Sequence, residues 1–455
     1  MNLTDSDIDF FFAPRSIAIV GASPEPGKLS RIILDSLRRM GFPGKIYPVN
    51  PRYTEIDGIP CFPSLKEIKG EVDVAVIAIP AAAVLSVLDD AAGKVRGAII
   101  ISAGFGEIGE KGRQLEAEVR KKAAGHGIRL MGPNCMGLYD TASCVDTFFI
   151  TSDKVGRPAK GGLSILSQSG SIAAVIMDDL ARQGIGVARL VSYGNRIDVG
   201  EVECLEFLAD DPHTTAVALY IESVDDGRRF IEAASRCAAK KPVIALKIGK
   251  GEAAVRAARS HTGAMAGRYE VYRAAFKKAG IIEAEGFEEL RDACQALSFY
   301  KPVSGQKVFI VTGGGGVGVG LSDACESMGL DVSPLPREAG DKIAANVAGF
   351  YTVANPLDLT GSAADREYAL AMEEGLKAGY DIIIMTVLWG PPRITPDILN
   401  RLKEIRDRYD RPVLICSPGG SFSRGLDRAW REKGFPVFET PEAAARAAAV
   451  LTNGR

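Results

Sequence analysis

The stretch Ser260-His261-Thr262-Gly263-Ala264-Met265-Ala266-Gly267 sets one of the chain's three histidines among small residues. No cysteine or carboxylate stands in the next few positions to suggest a metal site, and none is expected. Small side chains and glycine suit a mobile loop, because they add little bulk and free φ/ψ. An imidazole on such a loop can act as a nucleophile that takes up a group in one place and hands it on in another. A surface histidine in a flexible turn is the alternative that local composition leaves open. Glu222 ends the strand-like run Ala218-Leu219-Tyr220-Ile221-Glu222-Ser223. There its carboxylate can hydrogen-bond one ring nitrogen of a bound imidazole and orient the other for attack. A solvated glutamate at a strand end is the plainer alternative.

Two small-residue turns add a second kind of chemistry. Gly162-Leu163-Ser164-Ile165-Leu166 reads as a strand, and Ser167-Gln168-Ser169-Gly170-Ser171 follows it before the helical run 172–180. Lys307-Val308-Phe309-Ile310-Val311 is a strand in the same way. It is followed by Thr312-Gly313-Gly314-Gly315-Gly316-Val317-Gly318-Val319-Gly320 and a helix from Leu321. A helix N-terminus offers unpaired N–H groups and the positive end of its dipole, so both turns suit a phosphoryl group. Neither has the Gly-Lys-Ser/Thr ending of a Walker loop. A glycine-rich connection chosen only for tight packing is the alternative at each.

These residues need a scaffold of parallel strands. Ser16-Ile17-Ala18-Ile19-Val20 and the runs at 45–49, 72–79 and 98–101 are apolar enough for strands buried on both faces, and helical stretches separate them. Ligands of such sheets bind at the carboxyl ends of the strands. Those ends carry Gly21-Ala22-Ser23, Asn50-Pro51, Pro80 and Ser102-Ala103-Gly104-Phe105-Gly106-Glu107, and Gly132-Pro133-Asn134-Cys135-Met136-Gly137 closes the unit. Ser23 stands where G-x-G-x-x-G needs its second glycine, and Asn50 where a nicotinamide dinucleotide wants a carboxylate, so another nucleotide-like ligand is favoured. The strand and helix rhythm repeats at 162–249 and again at 307–416, and Pro302-Val303-Ser304-Gly305 is the expected linker before the last repeat.

Composition sets the limits. The 455 residues are 46% hydrophobic and 25% charged, with a formal net charge of -2. That is a globular balance without the basic excess of a nucleic-acid partner. No apolar run is long enough for a membrane span, and the acidic start lacks a signal-peptide pattern. Eight scattered cysteines without a CxxC pair read as reduced, mostly buried thiols of a cytoplasmic protein.

Taken in order, Ala18-Ile19-Val20-Gly21-Ala22-Ser23, Gly132-Pro133-Asn134-Cys135-Met136-Gly137, Ser167-Gln168-Ser169-Gly170, Tyr193-Gly194-Asn195 and Ser260-His261-Thr262-Gly263 resemble the α subunit of ADP-forming acyl-CoA (acetyl-CoA) synthetases, relatives of succinyl-CoA synthetase. The resemblance spans essentially the whole chain. It implies an α/β fold in three parts. A Rossmann-like CoA-binding domain occupies residues 1–145. A flavodoxin-like ligase domain with the phosphohistidine loop occupies 146–301, and a second flavodoxin-like, doubly wound domain 302–455. The implied reaction is acyl-CoA plus ADP plus phosphate giving acid, ATP and CoA. Coenzyme A would be bound by Gly21, Ala22, Ser23, Lys45, Pro80, Ser102, Ala103 and Gly104, with Asn134 and Cys135 near the thioester. His261 would carry phosphate, and Glu222 would hold its ring. Ser167, Gln168, Ser169 and Gly170, with Gly314, Gly315, Gly316 and Val317, would stabilise the phosphoryl oxygens. ADP or ATP with Mg²⁺ would sit on an ATP-grasp β subunit in an α2β2 heterotetramer. An NAD-binding dehydrogenase and a non-catalytic CoA-binding regulatory protein are the competing expectations.

Overall fold

Ser16–Val20 has no polar face to show to water, and all five residues are buried, as a strand covered on both sides requires. In the computed structural model it is β1 of the first sheet. The structure describes residues 8–251, 253, 268–347, 349 and 351–452. Lys45–Val49 (β2), Val72–Ile77 (β5), Val95–Ile100 (β6) and Arg129–Met131 (β7) complete a sheet of order β2-β1-β5-β6-β7. Its pairings are all parallel. Glu55–Ile56 (β3) and Ile59–Pro60 (β4) form a small antiparallel ladder beside it.

Gly137–Asp140 (β8) and Val145–Asp146 (β9) lead directly into a second sheet, in which they pair antiparallel. Lys160–Ser167 (β10), Val187–Ser192 (β11), Ala216–Ile221 (β12), Val243–Lys247 (β13) and Ile282–Ala284 (β14) run parallel, in the order β14-β13-β12-β10-β11-β8-β9. One continuous cluster of buried apolar side chains runs from Ile19 and Val76 in the first sheet to Leu138, Leu166 and Leu219 in the second. The N-terminal helix Asp9–Phe12 (α1) adds to it: Phe12 stacks on Phe207 with ring centroids 4.1 Å apart. The guanidinium of Arg189 lies over the same two rings and is paired with Asp140 and Asp211, so this buried cation is neutralised.

The chain divides into two compact units, Met1–Glu285 and Gly286–Arg455. The second starts ahead of the boundary expected at 302. Helix Phe287–Phe299 packs in it against helix Pro441–Thr452, where Arg446 donates to the buried Asp292 at 2.8 Å. Its sheet joins Val308–Thr312 (β15), Leu357–Asp358 (β16), Ile382–Thr386 (β17), Val413–Cys416 (β18) and Val437–Phe438 (β19) in the parallel order β16-β15-β17-β18-β19.

Helix Gly315–Ser327 begins inside the stretch expected to be a turn up to Gly320. Each interior glycine costs the helix about 1 kcal/mol against alanine. Packing overrides that preference here, since a Cβ on Gly318 would lie 2.9 Å from Thr312. All eight cysteines are free thiols, seven of them buried. Among the described residues no helix is long and apolar enough to cross a membrane.

Candidate active site

The glycine turn after β1 is held by its neighbours. Gly21 takes φ +86°, and a Cβ there would lie 2.7 Å from the carbonyl oxygen of Ala78. Val49 O accepts from Gly21 N at 2.9 Å and from Ala22 N at 3.2 Å, and Asn50 Nδ2 donates to Ala22 O at 2.7 Å. Asn50 thus spends its amide on the turn. Pro80 is exposed past the end of β5, and Ser102 donates its hydroxyl to Ile79 O beyond β6. Ala103 is exposed and Gly104 half-buried next to it. Gly21, Ala22, Ser23, Pro80, Ser102, Ala103 and Gly104 therefore share the carboxyl edge of the first sheet.

Lys45 does not join them. It pairs with Ser16 at the start of β1, whereas the turn follows Val20 at its end. Strands rise about 3.3 Å per residue, so the whole length of β1 separates Lys45 from Gly21. The cation at the carboxyl end of β2 is Arg52, exposed, with its N–H on Asn50 Oδ1 at 2.9 Å. Sequence reading gave Arg52 no role.

A cleft of about 430 Å³ joins the first two sheets, lined by Asn134, Cys135, Gln168, Ser169, Gly170, Asn195, Arg196 and Glu222, among others. Asn134 follows the cis Gly132–Pro133 bond with φ +55°. Cys135 is buried and donates its Sγ–H to Ile100 O at 3.4 Å, and burial pushes its thiol up to about 12. It is therefore a neutral wall of the cleft, not a nucleophile.

Opposite stands helix Gly170–Gln183 (α5), capped by Ser169, whose hydroxyl accepts from Ile172 N at 3.5 Å. Ser167 lies behind the cap and donates its hydroxyl to Ser169 O at 2.7 Å. Gly170 approaches so closely that a Cβ would lie 2.9 Å from Met136. The free end of α5 thus opens into the cleft next to Asn134 and Cys135.

Glu222 stands one residue past β12, 8% exposed, in the same cleft. Gln168 Oε1 accepts from Glu222 N at 2.9 Å and from Ser223 N at 3.0 Å, while Gln168 Nε2 donates to Ser223 Oγ at 3.1 Å. Arg196, at φ +48°, donates to Ser223 O at 2.5 Å and to Asp225 Oδ1 at 2.6 Å. Carboxylates around Arg196, Glu201 and Asp225 above all, keep it a cation against its burial. Lys247, at the end of β13, is 1% exposed, with its Nζ 4.6 Å from the ring centroid of Tyr272. Burial pulls it down to about 8, although the nearby Glu222 carboxylate favours its charged form. Sequence reading gave Arg196 and Lys247 no role.

His261 and its loop lie outside the described residues. Gly314, Gly315, Gly316 and Val317 belong to the second unit, where Gly314 caps helix Gly315–Ser327 and Gly315 and Gly316 are exposed. A Cβ on Gly315 would lie 2.8 Å from Asp358 Oδ2, so a carboxylate already borders this helix start. Among the described residues no group of three or more His, Cys, Asp or Glu side chains is placed to hold a metal ion.

Residues 15–141 match the CoA binding domain family, 160–297 the succinyl-CoA ligase like flavodoxin domain, and 308–416 the ligase-CoA domain. The α subunit of acetate–CoA ligase [ADP-forming] II of Pyrococcus furiosus is 37% identical over 452 residues, covering 98% of this chain and 97% of that protein. Acetate–CoA ligase [ADP-forming] I of Archaeoglobus fulgidus is 36% identical over 441 residues, and the match spans 62% of that longer protein. The dinucleotide forming acetyl-coenzyme A synthetase 1 of Ca. Korarchaeum cryptofilum, solved with phosphate and ADP, superposes with a TM-score of 0.93 at 32% identity. That match covers 99% of this chain and 97% of the other. Identity at this level along almost the full length of both chains is what homologous subunits show, and this chain, a ligase, belongs to the family of ADP-forming acetate–CoA ligase α subunits.

Proposed function

We propose that the chain catalyses acyl-CoA + ADP + phosphate = carboxylic acid + ATP + CoA, with His261 as the phosphoryl carrier. The observation that supports this most is that one cleft is shared by the two sheets. It sets Asn134 and Cys135, beside the first sheet's carboxyl edge, against the open end of α5 and the Glu222 carboxylate. A thioester and a phosphate can meet there.

Inorganic phosphate attacks the thioester carbonyl carbon, the C–S bond breaks, and CoA leaves as its thiolate. The acyl phosphate then gives its phosphoryl group to an imidazole nitrogen of His261. The P–O bond to the acyl oxygen breaks, and the carboxylate leaves. A terminal phosphate oxygen of ADP finally takes the phosphoryl group, breaking the P–N bond and forming ATP. The N–H groups at the start of α5 face the phosphoryl oxygens and need no reorganisation as charge builds. Glu222 accepts the second ring N–H and fixes the tautomer. In the first step the thiol of Cys135 stays protonated and only shapes the wall. Gly314–Gly316 and Val317 offer a second helix start of the same kind.

CoA lies along Gly21–Ser23, Pro80 and Ser102–Gly104. Three functional parts, 1–145, 146–301 and 302–455, serve as the CoA-binding domain, the ligase domain with the phosphohistidine loop and a second ligase domain with its own phosphate-binding helix start. The nucleotide and Mg²⁺ sit on an ATP-grasp β subunit, in an α2β2 assembly in the cytoplasm. The names of the relatives support this, since the Pyrococcus protein is one subunit and the Archaeoglobus protein is a longer single chain. Incubation with radiolabelled ATP, Mg²⁺ and the β subunit is expected to place acid-labile label on this chain. His261→Ala should abolish it, and label that persists in that variant would refute the carrier.

A further inference from the structure

Asn195 is the one member of Tyr193-Gly194-Asn195 whose side chain reaches out of the second sheet's domain. Its Nδ2 donates to Glu107 Oε2 at 2.8 Å and to Glu116 Oε1 at 2.9 Å. Its Oδ1 accepts from Asn134 Nδ2 at 3.3 Å. Carboxylates only accept when ionised, so this amide orientation is the one the two glutamates dictate. Glu107 Oε1 in turn accepts the backbone N–H groups of Gly104 at 2.5 Å and Phe105 at 3.1 Å. Glu116 comes from helix Glu110–Gly125 (α4) and takes the N–H of Gly106. The loop after β6 is thus folded around two carboxylates, and one amide from the neighbouring domain clips both.

The backbone around Asn195 is built for this reach. Gly194 takes φ +57°, and a Cβ there would lie 2.3 Å from Pro133 O and 2.4 Å from Asn134 O. Asn195 N donates to Pro133 O at 2.9 Å, and Ile197 N to Gly132 O at 3.1 Å. Only glycine permits that approach, which is why Asn195 arrives beside Asn134. An amide is the suitable group at this point. Its two N–H donors satisfy one carboxylate each and add no charge, while its oxygen holds the asparagine at the reaction cleft.

We propose that Asn195 is a positioning residue for coenzyme A, which locks the loop Ser102–Glu107 in its binding shape and ties it to Asn134 at the thioester. This rests on the CoA reading of that loop. Titration of CoA into the full chain by calorimetry tests it, with the wild type testing the CoA reading itself. A wild type that binds no CoA sinks that reading, whatever the variants do.

Asn195→Ala leaves two neighbouring carboxylates without their shared donor, and CoA is expected to bind about 10-fold more weakly or worse. Asn195→Asp keeps the shape and puts a third carboxyl among Glu107 and Glu116, with Arg113 a cation bearing on Glu116 and Arg196 lining the same cleft. Crowding by like charges raises the proton affinity of the cluster. Binding by this variant should recover towards wild type near pH 6 and fail near pH 8.5, with a swing at least about 5-fold greater than that of the wild type. If both variants bind CoA like the wild type, or Asn195→Asp shows a deficit that is flat with pH, the proposal is overturned. Should Asn195→Ala not fold, the pH profile of Asn195→Asp decides alone.

Discussion

Gln168 Oε1 accepts the backbone N–H groups of both Glu222 and Ser223, at 2.9 and 3.0 Å. One side chain from the α5 cap region thereby sets where the Glu222 carboxylate emerges from β12. The turn Ser167–Ser171 and the end of β12 at Glu222 are a single construction.

Gln168→Ala should therefore behave as a weakened Glu222 variant. Two buried N–H groups lose their acceptor, a penalty on the order of 1–3 kcal/mol each. We expect the overall turnover and the acid-labile labelling of the chain to fall together, about 10²-fold, while KM for CoA moves little. Glu222→Gln should reduce labelling to a similar extent. Steady-state kinetics beside the labelling assay separates this from a loss of CoA binding.

Cys135 gives a sharper test, because its position invites a covalent reading. With the thiol pushed up to about 12 by burial, it stays protonated at any working pH. Cys135→Ser should retain activity within about a factor of ten, and thiol reagents at neutral pH should not modify residue 135 in the folded chain. Mass spectrometry of the alkylated protein checks the second point.

Lys247 predicts a stability profile. Its folded value of about 8 lies below the ordinary 10.5, so the unfolded chain binds the extra proton between the two. Stability tied to this group therefore rises as pH increases from about 8 to about 10.5, and below 8 the buried charge costs the full amount. Lys247→Met removes that dependence. Thermal midpoints across the window should rise less steeply with pH in the variant than in the wild type. Turnover should drop in the same variant, since Glu222 loses the cation near it.

Lys45, expected to bind CoA, lies at the amino end of β2, whereas Arg52 follows its carboxyl end. Lys45→Ala should leave KM for CoA unchanged, because the side chain starts from the amino end of β2. Arg52→Ala, at the other end, should raise KM for CoA several-fold at low salt, and the difference from the wild type should shrink at high ionic strength.

Strands buried on both faces were the most legible part of the chain. β1 begins and ends where its apolar run predicts and is buried throughout; β2 keeps its predicted bounds but lies at the sheet edge, with Lys45 exposed and Ile46 and Tyr47 half-buried. Helix Gly315–Ser327 was misplaced by local propensity, which cannot register the close approach of Gly318 to Thr312. Among site residues, Asn134, Cys135, Gln168, Ser169, Gly170 and Glu222 do converge. They flank strand ends, where topology fixes position. The clip of Asn195 on Glu107 and Glu116 joins positions 88 and 79 residues apart. No periodicity carries such a pairing, and only the glycine before Asn195 hinted at a close contact.

The stacking of Phe12 on Phe207 bears on how such an enzyme can be cut or recombined. Phe10-Phe11-Phe12 precedes the segment matched as a CoA-binding module; Phe10 and Phe11 pack over Gly97 of β6, yet Phe12 reaches Phe207 and Arg189 of the next module. A fragment trimmed to the module boundaries would bare an oily seam on each piece. Inheritance and engineering alike must then treat these two modules as one indivisible block, however cleanly sequence comparison separates them.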